Sequence, residues 1–269
     1  MENFSNFYLK ILEKSKVKNI CEIGSEFGGN TKVLLEYVEN KGGKLTCIDP
    51  NPNKEFLKIT SSTENLKFIE SVSLNAIDSV ENIHAWFIDG DHNWYTVYNE
   101  LLMIRKKFIM DEKKFLVFVH DVDWPSGYRD MYYNPSSIPK EFLHEHSWDL
   151  GTVIDNPNLI DGGFRGNGAF AWAYQFGGKK NGVRSAIIDF LSEEREEIEF
   201  MSIPGIFGLG VLFSKKHSFY KEIKKELEPF HNNPFLEKME NNRLKNYLEV
   251  IRLQDEISKT RWRDRRTVD

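Results

Sequence analysis

Two short acidic runs in this 269-residue chain carry the residue types that hold a cation or move a proton. Phe87-Ile88-Asp89-Gly90-Asp91-His92 and Phe118-Val119-His120-Asp121-Val122-Asp123 each follow an apolar stretch, so each falls where a buried strand leaves a sheet. If those strands are neighbours, their axes lie roughly 4.8 Å apart, and Asp89 and Asp121 share one crevice. Two carboxylates at that spacing repel unless a proton or a cation stands between them. A hard ion such as Mg²⁺ suits oxygen ligands, whereas an imidazole from His120 favours Mn²⁺, Fe²⁺ or Zn²⁺. His92 and His120 are both candidate proton acceptors. Asp123 is a further candidate beside the ion, and Asp91 is equally suited to cap the helix that follows it.

A glycine-rich turn lies upstream, in Ile20-Cys21-Glu22-Ile23-Gly24-Ser25-Glu26-Phe27-Gly28-Gly29-Asn30-Thr31. An apolar strand runs into glycines that admit close backbone approach, and then into a helix whose first N–H groups favour ligand oxygens. The next strand ends in Asp49, where a carboxylate can accept hydrogen bonds from both hydroxyls of a ribose. The spacing is not G-x-G-x-x-G, which argues against a nicotinamide or flavin dinucleotide.

These residues need a frame, and the apolar pattern supplies one. Strands are expected at Asn19–Ile23, Leu45–Asp49, Leu66–Glu70, Ala85–Asp89 and Leu116–His120. Between them lie helical stretches such as Thr31–Val38 and Trp94–Phe108, where Val97, Leu101, Ile104 and Phe108 recur at helical spacing. Strands alternating with helices predict an α/β fold with a doubly wound, mostly parallel sheet. The alternation stops after His120. The Pro-, Gly- and aromatic-rich segment 123–181 reads as an insertion with a task, a lid or substrate-binding region. Trp124, Tyr128, Tyr132 and Tyr133 are expected either to wall a substrate or to form the insertion's own small core. A helix at Val183–Glu194 and a hairpin pair, Glu199–Ile203 with Gly208–Ser214, close the domain at about residue 215. Residues 216–269 read as a charged helical extension, with Leu236, Met239, Leu244, Tyr247, Leu248 and Ile251 on one stripe. That stripe is expected to pack on the body or to pair copies into a homo-oligomer, and Arg261–Arg266 to be a solvated helix end.

Bulk composition narrows the partners. With 40% hydrophobic and 29% charged residues the chain is too apolar for disorder, and a net charge of −5 gives no pull toward nucleic acid or anionic membrane. No run approaches the roughly 18 apolar residues of a bilayer span, and the first residues do not form a signal peptide. Cys21 and Cys47 are too few for a disulfide framework and read as small buried hydrophobes in a cytosolic chain.

The glycine turn resembles the E/D-x-G-x-x-x-G-G form of class I methyltransferases, with Glu22, Gly24, Gly28, Gly29 and Asp49 matching position by position. The resemblance implies a seven-stranded Rossmann-like sheet and S-adenosylmethionine as cofactor. Glu22, Gly24, Ser25, Gly28, Gly29 and Asn30 would face its methionine end, Asp49 its ribose and Ser71 its adenine, with Asp89 at the rear. The acidic runs are similar to those of metal-dependent O-methyltransferases, which implies Asp89, His120 and Asp121 as ligands of Mg²⁺ or Mn²⁺. The family usually places Asp-Asp or Asp-Asn where this chain has His120-Asp121. His92, His120 and Asp121 would then serve the chemistry, and the acceptor would be a small molecule such as a sugar, a surface-polysaccharide precursor or a secondary metabolite. Residues 17–122 also resemble a broad bacterial methyltransferase family. Segments around Tyr128–Pro135 and Asn181–Leu191 resemble stretches of relatives that carry no assigned chemistry.

Two other readings use the same residues. Asp89-Gly90-Asp91 matches the D-x-D signature by which sugar transferases hold a metal and a nucleotide-sugar, although Glu22–Gly29 and Asp49 then have no role. Alternatively the fold is a non-catalytic assembly module with its interface on the C-terminal helices, although a scaffold gains nothing from crowded carboxylates.

Overall fold

The computed structural model describes residues 1–61, 63–110, 114–194 and 197–266, with side chains to residue 258. The expected solvated helix end at Arg261–Arg266 lies outside the described side chains. The central sheet has seven strands: β1 (Ile20–Ile23), β2 (Leu45–Ile48), β3 (Leu66–Ile69), β4 (Ala85–Ile88), β5 (Leu116–His120), β6 (Ile198–Ile203) and β7 (Leu209–Ser214). Their order is 3-2-1-4-5-7-6, and β7 alone runs against the rest. This is the doubly wound, mostly parallel sheet that the alternation predicts, with its order reversing between β1 and β4.

Alternation along each strand fills two layers. Ile20, Cys47, Phe87, Phe118 and Val211 point to one face, under helices α1 (Ser5–Lys14) and α2 (Gly29–Asn40). Cys21, Ile48, Trp86, Ile88, Val117 and Leu212 point to the other. There they meet Val97, Leu101, Ile104 and Phe108 of α4 (Trp94–Met110) and Ala186, Ile187 and Phe190 of α5 (Val183–Glu194). A shorter helix, α3 (Lys54–Thr60), links β2 to β3. Both cysteines are free and buried in these layers, as expected of small hydrophobes.

The insertion is less open than its composition suggests. It holds a three-stranded sheet of Met131–Tyr132, Ala171–Ala173 and His146–Ser147, and a hairpin of Gly151–Val153 with Asn156–Ile160. The fully buried Arg129 guanidinium donates to the carbonyls of Pro157, Ala173 and Tyr174, which ties these pieces together. The C-terminal pattern divides into α6 (Tyr220–Leu227) and α7 (Pro234–Arg266), separated where Pro229 and Pro234 interrupt helical hydrogen bonding. On α7, Leu244 is buried and Leu236, Tyr247, Leu248 and Ile251 half-buried, but Met239 is exposed, so the expected stripe is narrower than its spacing implies. Among the described residues no helix is long and apolar enough to cross a membrane.

Candidate active site

The parallel strands end in register, with Ile23 beside Ile48 and Ile88, and Ile88 beside Val119. That alignment brings Gly24, Asp49, Asp89 and His120 to one sheet edge, at the point where strand order reverses.

The glycine turn is braced from within. Glu22 is buried and accepts hydrogen bonds from Asn30 Nδ2 (2.7 Å) and Thr31 Oγ1 (2.5 Å), and the Cys47 thiol donates to it at 3.4 Å. Burial raises the Glu22 pKa against those donors. Gly24 and Gly28 hold φ of +83° and +80°, where an L side chain is strained. A Cβ on Gly24 would overlap the Asp89 carbonyl, so this glycine also lets the chain leaving β4 pass close against the turn. Asp49 faces the turn, its Oδ2 accepting from the Ser25 N–H (2.8 Å) and Glu26 N–H (3.3 Å), and its Oδ1 from Asn51 N–H (2.8 Å). Asn30 is engaged on both sides, since its Oδ1 accepts from the Tyr8 hydroxyl at 2.7 Å. Ser71 lies half-buried past β3, donating to the Val72 carbonyl. The start of α2 already carries a carboxylate: Glu2 occupies the space that a Cβ on Gly29 would take. In the same segment the Met1 amino group lies 3.1 Å from Asp89 Oδ2, and the Phe4 ring stands edge-on to His120 at 5.8 Å.

The acidic runs converge. Ligand atoms of Asp89, His92 and Asp121 all lie within 4.8 Å of one another. His92 Nε2 is 2.6 Å from Asp121 Oδ2 and 3.6 Å from Asp89 Oδ1. His120 Nδ1 lies 3.0 Å from Asp89 Oδ1 and 3.5 Å from Asp121 Oδ2. Asp121 reaches this group because its backbone takes φ of +57°, a left-handed conformation that Asp tolerates better than most side chains. Burial works against charge on every member, yet mutual attraction wins. The two carboxylates raise His120 to about 10 and His92 well above its ordinary value. The histidines in turn hold Asp89 and Asp121 well below the usual carboxylate range. Even so, neither nitrogen of His92 nor Nε2 of His120 makes a hydrogen bond, although all three are buried. Of these three, His92 Nε2 is the one shown beside both carboxylates, so it is the buried nitrogen placed to serve a ligand shared with Asp89 and Asp121.

Other candidates lie elsewhere. Asp91 is turned to the helix start, accepting from Asn93 Nδ2 (2.7 Å) and Thr96 Oγ1 (2.9 Å). The cap itself is Asn93, whose Oδ1 accepts the Thr96 N–H at 2.9 Å, so Asp91 braces the cap instead of forming it. With Asp91 outside the converging group, the D-x-D reading loses its second ligand. Asp123 pairs with Arg184. Tyr132 is buried with Ile138 and Ala173 in the insertion's own packing, and Trp124 rests near Phe164 of the insertion and Phe207 of the turn that joins β6 to β7. Tyr133 is 51% exposed with its ring 6.2 Å from His92, which makes it a wall of the crevice.

Two acids escape the sequence reading. Glu100 is fully buried, its carboxylate without a hydrogen bond, and burial pushes it to about 8. The available signal is its position between Val97 and Leu101 on the apolar face of α4. Asp130 is buried within the insertion and accepts hydrogen bonds at both oxygens.

Residues 21–122 match the family model described as a methyltransferase domain, a span that contains every site residue from Glu22 to Asp121. Among solved structures, a Staphylococcus aureus protein assigned as a caffeoyl-CoA O-methyltransferase is 13% identical, with a TM-score of 0.49 over 79% of this chain and 83% of that one. A methyltransferase of Podospora anserina bound to S-adenosylhomocysteine is 13% identical, with a TM-score of 0.46 over 78% and 77%. An O-methyltransferase of Bacillus cereus in complex with the same compound is 14% identical, with a TM-score of 0.44 over 77% and 79%. No curated protein sequence matches the chain.

Proposed function

We propose that this chain, whose residues 21–122 match a methyltransferase-domain model, is a class I methyltransferase that moves a methyl group from S-adenosylmethionine to a hydroxyl of a small molecule with the help of a divalent cation. The observation that carries the reading is the convergence of Asp89, His92 and Asp121 beside the glycine turn and Asp49 on one sheet edge. The residues present fit the methyl donor. Gly24 and Gly28 give backbone access, and the α2 start holds the Glu2 carboxylate where a cofactor carboxylate is expected. Asp49 faces the turn from the position that suits a ribose. They also fit a cation, since the buried His92 Nε2 makes no hydrogen bond and lies 2.6 Å from Asp121 and 3.6 Å from Asp89, both held as carboxylates. A mixed oxygen and imidazole set suits Mn²⁺ at least as well as Mg²⁺.

When bound, the donor supplies an electrophilic sulfonium methyl and the cation a Lewis acid that lowers the pKa of the acceptor hydroxyl. The chain does the rest. Asp89 and Asp121 provide the negative charge that holds the ion, with His92 and His120 as the imidazole ligands available beside them. The histidine not engaged in that role takes the hydroxyl proton as the new carbon–oxygen bond forms and the carbon–sulfur bond breaks. Gly24, Ser25, Gly28, Gly29 and Asn30 would seat the methionine end, Asp49 the ribose and Ser71 the adenine edge, and so orient the donor toward the acceptor. Tyr133 and the insertion exclude water and select the acceptor, a sugar, a surface-polysaccharide precursor or a secondary metabolite.

In this reading residues 1–215 are the catalytic unit, 123–181 its lid, and 216–269 an extension through which copies of a cytosolic enzyme pair. The exposed Phe235, Met239, Val250, Leu253 and Ile257 of α7 are the side chains a second copy would cover. Calorimetric titration with S-adenosylhomocysteine tests the proposal. Saturable binding in the micromolar range is expected. No heat at millimolar ligand, together with thermal stabilisation by a nucleotide-sugar, would replace methyl transfer with sugar transfer.

A further inference from the structure

The segments around Tyr128–Pro135 and Asn181–Leu191 meet at one buried carboxylate, Asp130. Asp130 Oδ1 accepts the Trp94 N–H (2.7 Å), the first of α4, and the Gly182 N–H (2.6 Å), just ahead of α5. Its Oδ2 accepts the Tyr132 hydroxyl at 2.8 Å, and its own N–H donates to Asn181 Oδ1 at 2.7 Å. The next residue completes the link, since the Met131 N–H donates to the His92 carbonyl at 3.1 Å. One side chain of the insertion thus joins the starts of two helices, and one of them begins two residues after His92. Helix starts present unsatisfied N–H groups and favour a negative partner, so a carboxylate shared by two of them is a strong anchor.

We propose that Asp130 is a positioning residue for the cation site, holding His92 against Asp89 and Asp121 through the α4 start and the Met131–His92 backbone bond. The inference rests on the metal-assisted reading above and goes beyond it: the acceptor-side insertion and the His92 ligand are one hydrogen-bonded unit. Asp89 and Asp121 directly follow β4 and β5, and the Asp130 side chain is bonded to Trp94, Gly182 and Tyr132 and to neither of them. The glycine turn and Asp49 share no hydrogen bond with it.

The consequence is a selective loss. Mn²⁺ affinity, measured by electron paramagnetic resonance of the free ion, should fall about tenfold to a hundredfold in Asp130→Ala, as for other residues that orient a ligand. S-adenosylhomocysteine affinity should stay within about twofold. Asp130→Asn keeps an acceptor for both N–H groups and an amide that can donate to the Tyr132 oxygen, so it should restore Mn²⁺ affinity to within about threefold. Should the alanine variant fail to fold, Asp130→Ser carries the same expectation, because its shorter hydroxyl cannot reach both helix starts. Wild-type affinity for Mn²⁺ in the alanine or serine variant would overturn the proposal and leave methyl transfer untouched. Equal loss of Mn²⁺ and S-adenosylhomocysteine binding would also overturn it, marking Asp130 as a general structural anchor. A wild-type chain that takes up no Mn²⁺ would overturn this proposal and the cation reading together.

Discussion

His92 Nε2 lies 2.6 Å from Asp121 Oδ2 and 3.6 Å from Asp89 Oδ1, so one imidazole nitrogen stands against both carboxylates. Ligand atoms of the three residues fall within 4.8 Å of one another, an arrangement that a single cation can span. His120 approaches the same pair from β5, so two carboxylates face two imidazoles. In the absence of an ion, protons on the histidines balance the charge, and an arriving cation must displace them.

Asp121→Ala should separate chemistry from cofactor binding. Turnover is expected to fall at least about a hundredfold, given that a Lewis-acid contact contributes several kcal/mol to the transition state. S-adenosylhomocysteine affinity by calorimetry should remain within about twofold. A fully active variant would remove the cation from the mechanism.

Asp49→Ala should do the reverse. Loss of the ribose acceptor, together with the Ser25 and Glu26 N–H bonds that shape the turn, should weaken S-adenosylhomocysteine binding at least about tenfold. Mn²⁺ affinity should be unchanged, because Asp49 lies across β1 from the acidic runs.

Glu2 holds the place over Gly29 that a cofactor carboxylate requires. Glu2→Ala should therefore tighten S-adenosylhomocysteine binding about threefold or more, as removal of an exposed competing charge at a helix start does. Weaker binding in the variant would instead make Glu2 part of the cofactor site.

Glu100 gives the fold a pH signature. Its folded pKa, about 8, stands above the ~4.3 of a free glutamate, so the folded chain keeps a proton that the unfolded chain releases. The stability this proton confers is complete below about pH 4 and is lost as pH rises through 8. Glu100→Gln should raise the melting temperature at pH 9 by about 5 °C and change it little at pH 5. Identical shifts at both pH values would contradict the assignment.

Much of this site was legible because sheet geometry converts sequence position into place. Apolar runs ending in Asp49, Asp89 and His120-Asp121 give strands whose ends must align once the sheet is parallel, and the glycine turn marks the reversal beside β1. What escaped were features set by packing across long sequence separations. Asp130 looks like any loop acid until the insertion folds back over α4 and α5. Glu100 shows only as a charge on an apolar stripe. The insertion's short strands lack periodicity long enough to detect, and which histidine approaches Asp121 most closely depends on the left-handed turn at Asp121, for which an aspartate carries no distinctive signal. Met239 is exposed because its neighbour Glu240 takes the buried position, accepting the Phe207 N–H at 3.0 Å, and a pattern of apolar residues does not reveal a buried acid.

Anomalous scattering from crystals grown with Mn²⁺ and S-adenosylhomocysteine tests the central claim most directly. A single manganese peak bonded to Asp89, His92 and Asp121, with the nucleoside over Gly24–Gly29 and its ribose on Asp49, is the expected result. Manganese absent from that cluster, or a nucleoside bound away from the glycine turn, would contradict metal-assisted methyl transfer at this sheet edge.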